Sequence, residues 1–365
     1  MLFLIYFGNC SYTFASMKSG NKISNIKDIS LSELEAFVLS VDEKKFRAKQ
    51  IYNWIWKNHV SSFNEMKNIP NSFKSKLERQ FSIYKIILKD IQESDDNTVK
   101  FVFKLIDNKY IESVLIPSAK RTTACISSQV GCPLGCKFCA TGFMKYERNL
   151  TPAEIIDQVV ILNDYSQKEF RHKLSNIVIM GMGEPLLNLN NLLNAIDVIV
   201  DNDALGFSPQ RITVSTSGLV KEIKKLADIK PKFNLAISLH TANNLKRTNL
   251  MPVNKSNPLP ELINALKYYH SKTNARITFE YLMLNNVNDS LQDAKELAEF
   301  CKNFPSKINI IEYNEIQDSE YQKSGIEKTQ EFVNYMESKN LVVNVRRSRG
   351  KDIDAACGQL ANKIK

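Results

Sequence analysis

Gly131-Cys132-Pro133-Leu134-Gly135-Cys136-Lys137-Phe138-Cys139-Ala140-Thr141-Gly142 carries three cysteines spaced C-x3-C-x2-C. Soft thiolates suit zinc and iron–sulfur clusters. Structural zinc takes four nitrogen or sulfur ligands, and an electron-transfer [4Fe-4S] cluster takes four thiolates. Here the next cysteine is Cys301, and no histidine lies near the stretch. Three thiolates on a four-iron cluster leave one iron open, and an open metal position is where a ligand binds and reacts. The expected centre is therefore an open [4Fe-4S] cluster on Cys132, Cys136 and Cys139. The competing readings are a zinc site completed from elsewhere in the chain and three unrelated buried thiols.

Outward from this stretch the chain alternates strand and helix. Candidate strands are Ala124–Gln129, Asn176–Met180, Arg211–Thr216, Asn234–His240, Arg276–Leu284, Lys307–Asn314 and Leu341–Arg347. Thr151, Pro152 and Glu154 form a capping box that starts the first intervening helix. Such alternation predicts an α/β fold with a parallel sheet, doubly wound or barrel-like. In those folds the working residues sit at the carboxyl ends of strands. Gly181-Met182-Gly183-Glu184-Pro185, Ser215-Thr216-Ser217-Gly218, Ser238-Leu239-His240 and Asn314 all fall at such ends. Read alone, each has an ordinary explanation: a plain turn, turn hydroxyls, a satisfied buried histidine.

Towards the N-terminus, Leu31 to Ile87 has helical periodicity, with an amphipathic segment from Lys45 to His59 and a short helix from Asn71 to Phe81. Trp54 and Trp56 read as core residues rather than base-stacking platforms. Asp90 to Asn97 reads as an acidic linker or turn, followed by paired strands at Val99–Leu105 and Tyr110–Ile116. The resulting division is 1–16 a non-functional extension, 17–90 a helical accessory domain, 91–117 a strand pair, 118–348 the core and 349–365 a tail.

The chain has 365 residues, 43% hydrophobic and 24% charged, enough for a sizeable core. Its net charge of +10 fits a polyanionic partner such as nucleic acid, although heavy lysine usage alone produces the same surplus. Seven cysteines, four of them between Cys125 and Cys139, argue against a secreted disulfide framework. An open cluster needs a reducing compartment, so a cytoplasmic protein is expected. The apolar run Met1 to Phe7 lacks a basic start and is too short to span a bilayer, so no membrane association is expected; Cys10 receives no role. Cys301 falls at helical spacing from Leu297 and reads as core.

The C-x3-C-x2-C stretch, with an aromatic before its last cysteine, resembles the signature of the radical S-adenosylmethionine (SAM) enzymes. The flanks Cys125-Ile126-Ser127-Ser128-Gln129-Val130-Gly131 and Arg148-Asn149-Leu150-Thr151 resemble more narrowly the RNA adenine methyltransferases of the RlmN type. So does the tail, Arg346-Arg347-Ser348-Arg349-Gly350-Lys351-Asp352-Ile353-Asp354-Ala355-Ala356-Cys357-Gly358-Gln359-Leu360. The resemblance covers roughly residues 30–360. It implies a partial (β/α)6 radical-SAM barrel with a small N-terminal helical accessory domain that helps engage RNA.

It further implies that the open iron binds SAM, two molecules of which are used per turnover. Gly183, Glu184, Ser215, Ser238, Leu239, His240 and Asn314 would line the SAM site. Cys357 would be the methyl carrier, Cys125 the resolving thiol and Glu112 the proton acceptor. Read without the resemblance, Cys357 is a lone cysteine in a polar tail, and Glu112 is a strand carboxylate facing solvent. The implied reaction is methylation of adenine C2 in 23S rRNA, near the peptidyl-transferase centre, and in tRNA next to the anticodon. It proceeds through an S-methylcysteine and a transient disulfide. A monomer served by an electron donor such as flavodoxin or ferredoxin is expected. The rivals are a sister family that methylates adenine C8 and confers resistance, and a cluster-containing RNA-binding protein without catalysis.

Overall fold

The computed structural model describes residues 24–119, 121–317 and 319–362. The extension 1–16, with Cys10, lies outside the described residues. Among the described residues ten strands form one sheet: β1 (Ile87–Glu93), β2 (Val99–Lys104), β3 (Tyr110–Ser118), β4 (Arg121–Ile126), β5 (Asn176–Ile179), β6 (Ile212–Thr216), β7 (Asn234–Ser238), β8 (Ile277–Met283), β9 (Ser306–Glu312) and β10 (Val342–Arg346). Their spatial order follows chain order. β1 to β4 pair antiparallel, and every pairing from β4 to β10 is parallel.

That order explains the shape. Each parallel crossover advances in the same direction, and right-handed crossovers then place every helix on one face. The sheet curls round its other face into a partial barrel, left open because its edge strands, β1 and β10, do not pair with each other. The covering helices of the crossovers are α4 (Pro152–Glu169), α5 (Leu189–Val200), α6 (Val220–Ile229), α7 (Asn244–Leu250), α8 (Leu259–Thr273), α9 (Leu291–Cys301) and α10 (Ile326–Ser338). The predicted cap of α4 is present: Thr151 Oγ1 accepts from the Glu154 amide, and the Glu154 carboxylate accepts from the Thr151 amide.

The core lies between sheet and helices. All seven residues of β8 are buried, and Phe279 packs against Phe300 and Phe304 with ring centroids 5.4 and 5.6 Å apart. Each such side chain contributes about 1.5–3 kcal/mol by leaving water. Cys301 is in this layer, as its spacing predicts.

Ahead of the sheet, α1 (Leu31–Ser40), α2 (Phe46–Trp56) and α3 (Asn71–Gln80) form a helical unit around Phe37, Ile51, Trp56, Phe73 and Leu77. Trp56 is buried, and half-buried Trp54 donates its indole N–H to Asn68 Oδ1 at 2.6 Å. The unit is tied to the barrel through α4: buried Lys27 pairs with buried Asp157, and Asp28 Oδ1 accepts from the Ala153 amide at 2.9 Å.

Two sequence expectations are corrected. The acidic stretch Asp90–Asn97, expected as a linker or turn, is a turn only in its second half: its first half completes β1, and the rest is the β1–β2 turn, where the Ser94 amide donates to the Thr98 carbonyl. The polar residues mislead because β1 is an edge strand whose side chains mostly face water. The strand expected at Ala124–Gln129 starts earlier and stops at Ile126, because Gln129–Val130 leaves the sheet to pair with Arg148–Asn149.

Candidate active site

The short Gln129–Val130/Arg148–Asn149 ladder closes the base of the cysteine loop. Gly131 leaves it at φ +73°, and a Cβ there would sit 2.2 Å from the Lys145 carbonyl oxygen, so only glycine fits. Cys139 caps the turn Ala140–Phe143, and the Lys137 amide donates to the Leu250 carbonyl at the end of α7. Burial, with repulsion among the three thiols, raises Cys132 to about 12 and Cys136 well above its ordinary value; burial also raises Cys139. Such thiols ionise when a metal supplies positive charge. Among the described residues no three His, Cys, Asp or Glu side chains are grouped as ligands of a single ion. The thiolates of a cluster each bind a different iron and need not converge on one point.

The Gly181–Pro185 turn is stitched to the entry of the cysteine loop. The Gly181 amide donates to the Ile126 carbonyl, and the Met182 carbonyl accepts from the Ser128 and Gln129 amides. Gly183 has φ +99°, and an added Cβ would lie 2.5 Å from Gln129 Cβ. Glu184 is buried; its carboxylate accepts from the Leu186 amide at 3.1 Å and the Ser217 amide at 2.8 Å, bracing the turn against the end of β6. Burial raises its pKa. Its oxygens keep lone pairs for a further donor.

The remaining strand ends converge beside these turns. Ser215 Oγ and Ser238 Oγ lie 3.3 Å apart across β6 and β7. The Leu239 side chain is fully buried, and its amide and carbonyl are engaged by the Glu280 carbonyl and Arg247. His240 accepts at Nδ1 from the Leu282 amide at 3.1 Å, which leaves the proton on Nε2. Burial, aided by the nearby Arg247 charge, lowers its pKa to about 3 and keeps it neutral. Its ring meets the Phe138 ring edge-on, centroids 4.7 Å apart, beside Cys139. Asn314 donates to the Cys357 carbonyl at 3.4 Å, while its buried Oδ1 has no hydrogen-bond partner. An orphaned buried acceptor in this position fits a ligand that carries donors.

The tail docks on the cysteine loop. The Ala140 amide donates to the Gly358 carbonyl at 2.7 Å, and Thr141 Oγ1 donates to the Leu360 carbonyl at 2.6 Å. Cys357 is thereby held over the loop: solvent reaches it, yet protein surrounds the thiol closely enough to raise its pKa, and the charge of Cys139 reinforces the shift. Cys125, on β4, feels the charge of Cys357 after the effect of burial, which pushes it up to about 12. Both thiols are free.

Glu112, on β3, is 2% exposed, which overturns the solvent-facing reading. It turns inward because the tail covers that face of the hairpin: Glu112 Oε2 accepts from the Ala361 amide at 3.0 Å. Burial raises its pKa, partly offset by Lys100.

Two residues near the site escaped sequence reasoning. Glu280 is a buried carboxylate in the otherwise apolar run Ile277–Met283, and it accepts from Asn309 Nδ2 at 2.7 Å. A lone charge in such a run was the available signal. Arg247 is fully buried in α7, and nothing in the spacing of that polar helix marks it.

Three thiols on one loop, a glycine turn packed against them and polar strand ends at one mouth of a partial barrel define a radical SAM enzyme. Residues 126–301 match the radical SAM superfamily, and residues 24–83 match the ribosomal RNA large subunit methyltransferase N-terminal domain. A radical SAM methyltransferase from Sphaerobacter thermophilus superposes with a TM-score of 0.86 at 36% identity, covering 92% of this chain and 99% of that one. The chain belongs to the RlmN family of RNA methyltransferases: it is 48% identical to a probable dual-specificity RNA methyltransferase RlmN of Cytophaga hutchinsonii, over 99% of this chain and 98% of that protein. It is 42% identical to the dual-specificity RNA methyltransferase RlmN of Geotalea uraniireducens, over 93% and 97%. It is thus a SAM-dependent RNA methyltransferase of the radical SAM type, with a [4Fe-4S] cluster and SAM as cofactors. This sets aside the non-catalytic RNA-binding reading. Among the described residues no helix is long and apolar enough to cross a membrane.

Proposed function

We propose that this chain methylates C2 of adenine in 23S rRNA and in tRNA, working in the cytoplasm as a monomer with flavodoxin or ferredoxin as electron donor. The observation that supports the reading is the tail seated on the cysteine loop, where Cys357 feels the charge of Cys139 and Cys125 that of Cys357, with Glu112 bonded to the same tail. Cys132, Cys136 and Cys139 would hold the cluster; Gly183, Glu184, Ser215, Ser238, Leu239, His240 and Asn314 would hold SAM. When bound, the cluster and SAM supply a methyl group and a 5′-deoxyadenosyl radical.

Adenine C2 is electron-poor, so direct methyl transfer to it is unfavourable. Cys357 solves this by carrying the methyl group on sulfur and presenting its carbon to C2 once a hydrogen atom has been removed. Glu112, whose burial makes it a stronger base when ionised, takes the C2 proton. Cys125 attacks the Cys357 sulfur, forms a disulfide and frees the methylated base. Residues 17–90 engage the RNA, ahead of the 91–117 strand pair, the 118–348 core and the 349–365 tail.

Anaerobic turnover with methyl-labelled SAM on unmodified 23S rRNA and tRNA tests the proposal. Nucleoside digestion should show label in 2-methyladenosine. Label in 8-methyladenosine would mean the sister chemistry.

A further inference from the structure

Arg247 has none of its surface exposed. Its guanidinium spans the carboxyl ends of two strands: Nε donates to the Leu239 carbonyl at 3.2 Å, and Nη2 donates to the Ser217 and Ser238 carbonyls at 2.5 and 3.3 Å. Nη1 donates to Asn254 Oδ1 at 2.7 Å. Every one of these acceptors is neutral. Among the described residues no ion pair includes Arg247, which is unusual for a cation removed from water, because buried charges are paired or pay heavily in desolvation.

The surroundings indicate where the missing negative charge belongs. His240, a titratable neighbour on the β7 side, is neutral. On the other side is the cysteine loop, whose Lys137 amide is bonded to the Leu250 carbonyl at the end of the helix that carries Arg247. Burial lowers the Arg247 pKa to about 10, and the Cys136 charge is what opposes that shift.

We propose that Arg247 is the built-in counter-ion of the iron–sulfur cluster. The inference rests on the reading of Cys132, Cys136 and Cys139 as cluster ligands. A [4Fe-4S] core on three thiolates is anionic and gains a further negative charge on reduction. A fixed cation in a low-dielectric site favours both forms and the reduced one more. Arg247 therefore promotes cluster loading and raises the reduction potential, which responds to local charge. Its hydrogen bonds also lock together the ends of β6 and β7. Arg247 is a positioning residue, since it acts through the cluster ligands.

The test compares anaerobically reconstituted wild type, Arg247→Lys and Arg247→Gln. The readouts are iron content, the midpoint potential from a dithionite titration followed by electron paramagnetic resonance, and the thermal midpoint with and without cluster. Arg247→Gln should make cluster reduction at least tenfold less favourable, about 59 mV for one electron, while Arg247→Lys stays within that margin. Cluster loading should raise the thermal midpoint of wild type more than that of Arg247→Gln. An unshifted potential in loaded Arg247→Gln overturns the proposal, as do equal shifts in both variants, which would mark a hydrogen-bonding role alone. If Arg247→Gln does not fold, the near-isostere Arg247→Met gives the same comparison; failure of both to fold marks a structural brace and overturns the proposal. A wild-type protein that binds no iron overturns the cluster reading itself, a result distinct from all of these.

Discussion

Two free thiols that do not belong to the cysteine loop take different steps in the proposed reaction. Cys357 comes from the tail and Cys125 from β4, and only the docked tail brings their charges within reach of each other. Their losses should differ. Cys357→Ala has no sulfur to carry a methyl group and should form no covalent species with RNA, while keeping its iron. Cys125→Ala should still load Cys357 and join it to adenine, but would have no thiol to break the C–S bond. It should accumulate a protein–RNA adduct that survives denaturing electrophoresis, with the added mass mapping to Cys357. Normal turnover by Cys125→Ala would make Cys125 a packing residue.

At the scale of elements, α4 is the hinge post of the molecule. Its N-terminal capping box satisfies its own first turn, and its next turn holds the N-terminal unit through Asp157. Asp157 pairs with Lys27 and accepts from the Ile86 amide at 3.2 Å, all away from water. Burial raises the Asp157 pKa, and Lys27 opposes that shift. Asp157→Ala strands the Lys27 cation and should cost about 3–5 kcal/mol in chemical denaturation. The double variant Asp157→Leu/Lys27→Met should recover most of that loss, because an apolar pair of similar volume carries no desolvation penalty. A double variant as unstable as Asp157→Ala would show that the pair's geometry, rather than its stranded charge, governs stability.

At the scale of the whole molecule, the tail is strapped to the far edge of the sheet. Arg349 pairs with Asp96 at 2.9 Å, the Gly350 amide donates to Asp96 Oδ2 at 3.0 Å, and Ser94 donates to Asp352 at 2.5 Å. Burial pushes the Asp96 pKa up, but hydrogen bonds from Thr98 and Gly350 and the Arg349 charge bring it down from 3.8 to about 2. A depressed carboxylate pKa contributes stability that is complete above the unfolded value and lost as pH falls through the folded one. The strap should therefore hold above about pH 4 and loosen toward pH 2, read as pepsin cleavage within residues 349–362. Asp96→Asn should loosen it at neutral pH, with tryptic cleavage after Lys351 several-fold faster than in wild type. Equal cleavage would show that the other tail contacts suffice.

The same scale governs RNA binding. The chain carries +10 net charge, and α2 with the residue that follows it presents Lys49 and Lys57 at the surface, both paired with Asp203 of the barrel. Such exposed pairs are worth about 0–1 kcal/mol and exchange readily for phosphates. RNA affinity should fall steeply with salt as neutralised phosphates release counterions. A salt-independent affinity measured by filter binding would contradict an electrostatic footprint.

The sequence by itself determined the local features. Three thiols in C-x3-C-x2-C, the cap at Thr151, the parallel strands and their polar ends are written in spacing and residue type, because they depend on neighbours a few positions apart. The second half of edge strand β1, from Asp90, reads in sequence as linker or turn, since strand pairing there is decided by β2 and not by its own exposed side chains. Tertiary structure alone decided the rest. The tail crosses Glu112 and bonds its carboxylate, and Cys125 feels the charge of Cys357 because β4 and the docked tail come together. Arg247 has no ion-pair partner among the described residues because the turn after β6, the end of β7 and α7 close round it, a coincidence of distant segments that no local pattern encodes.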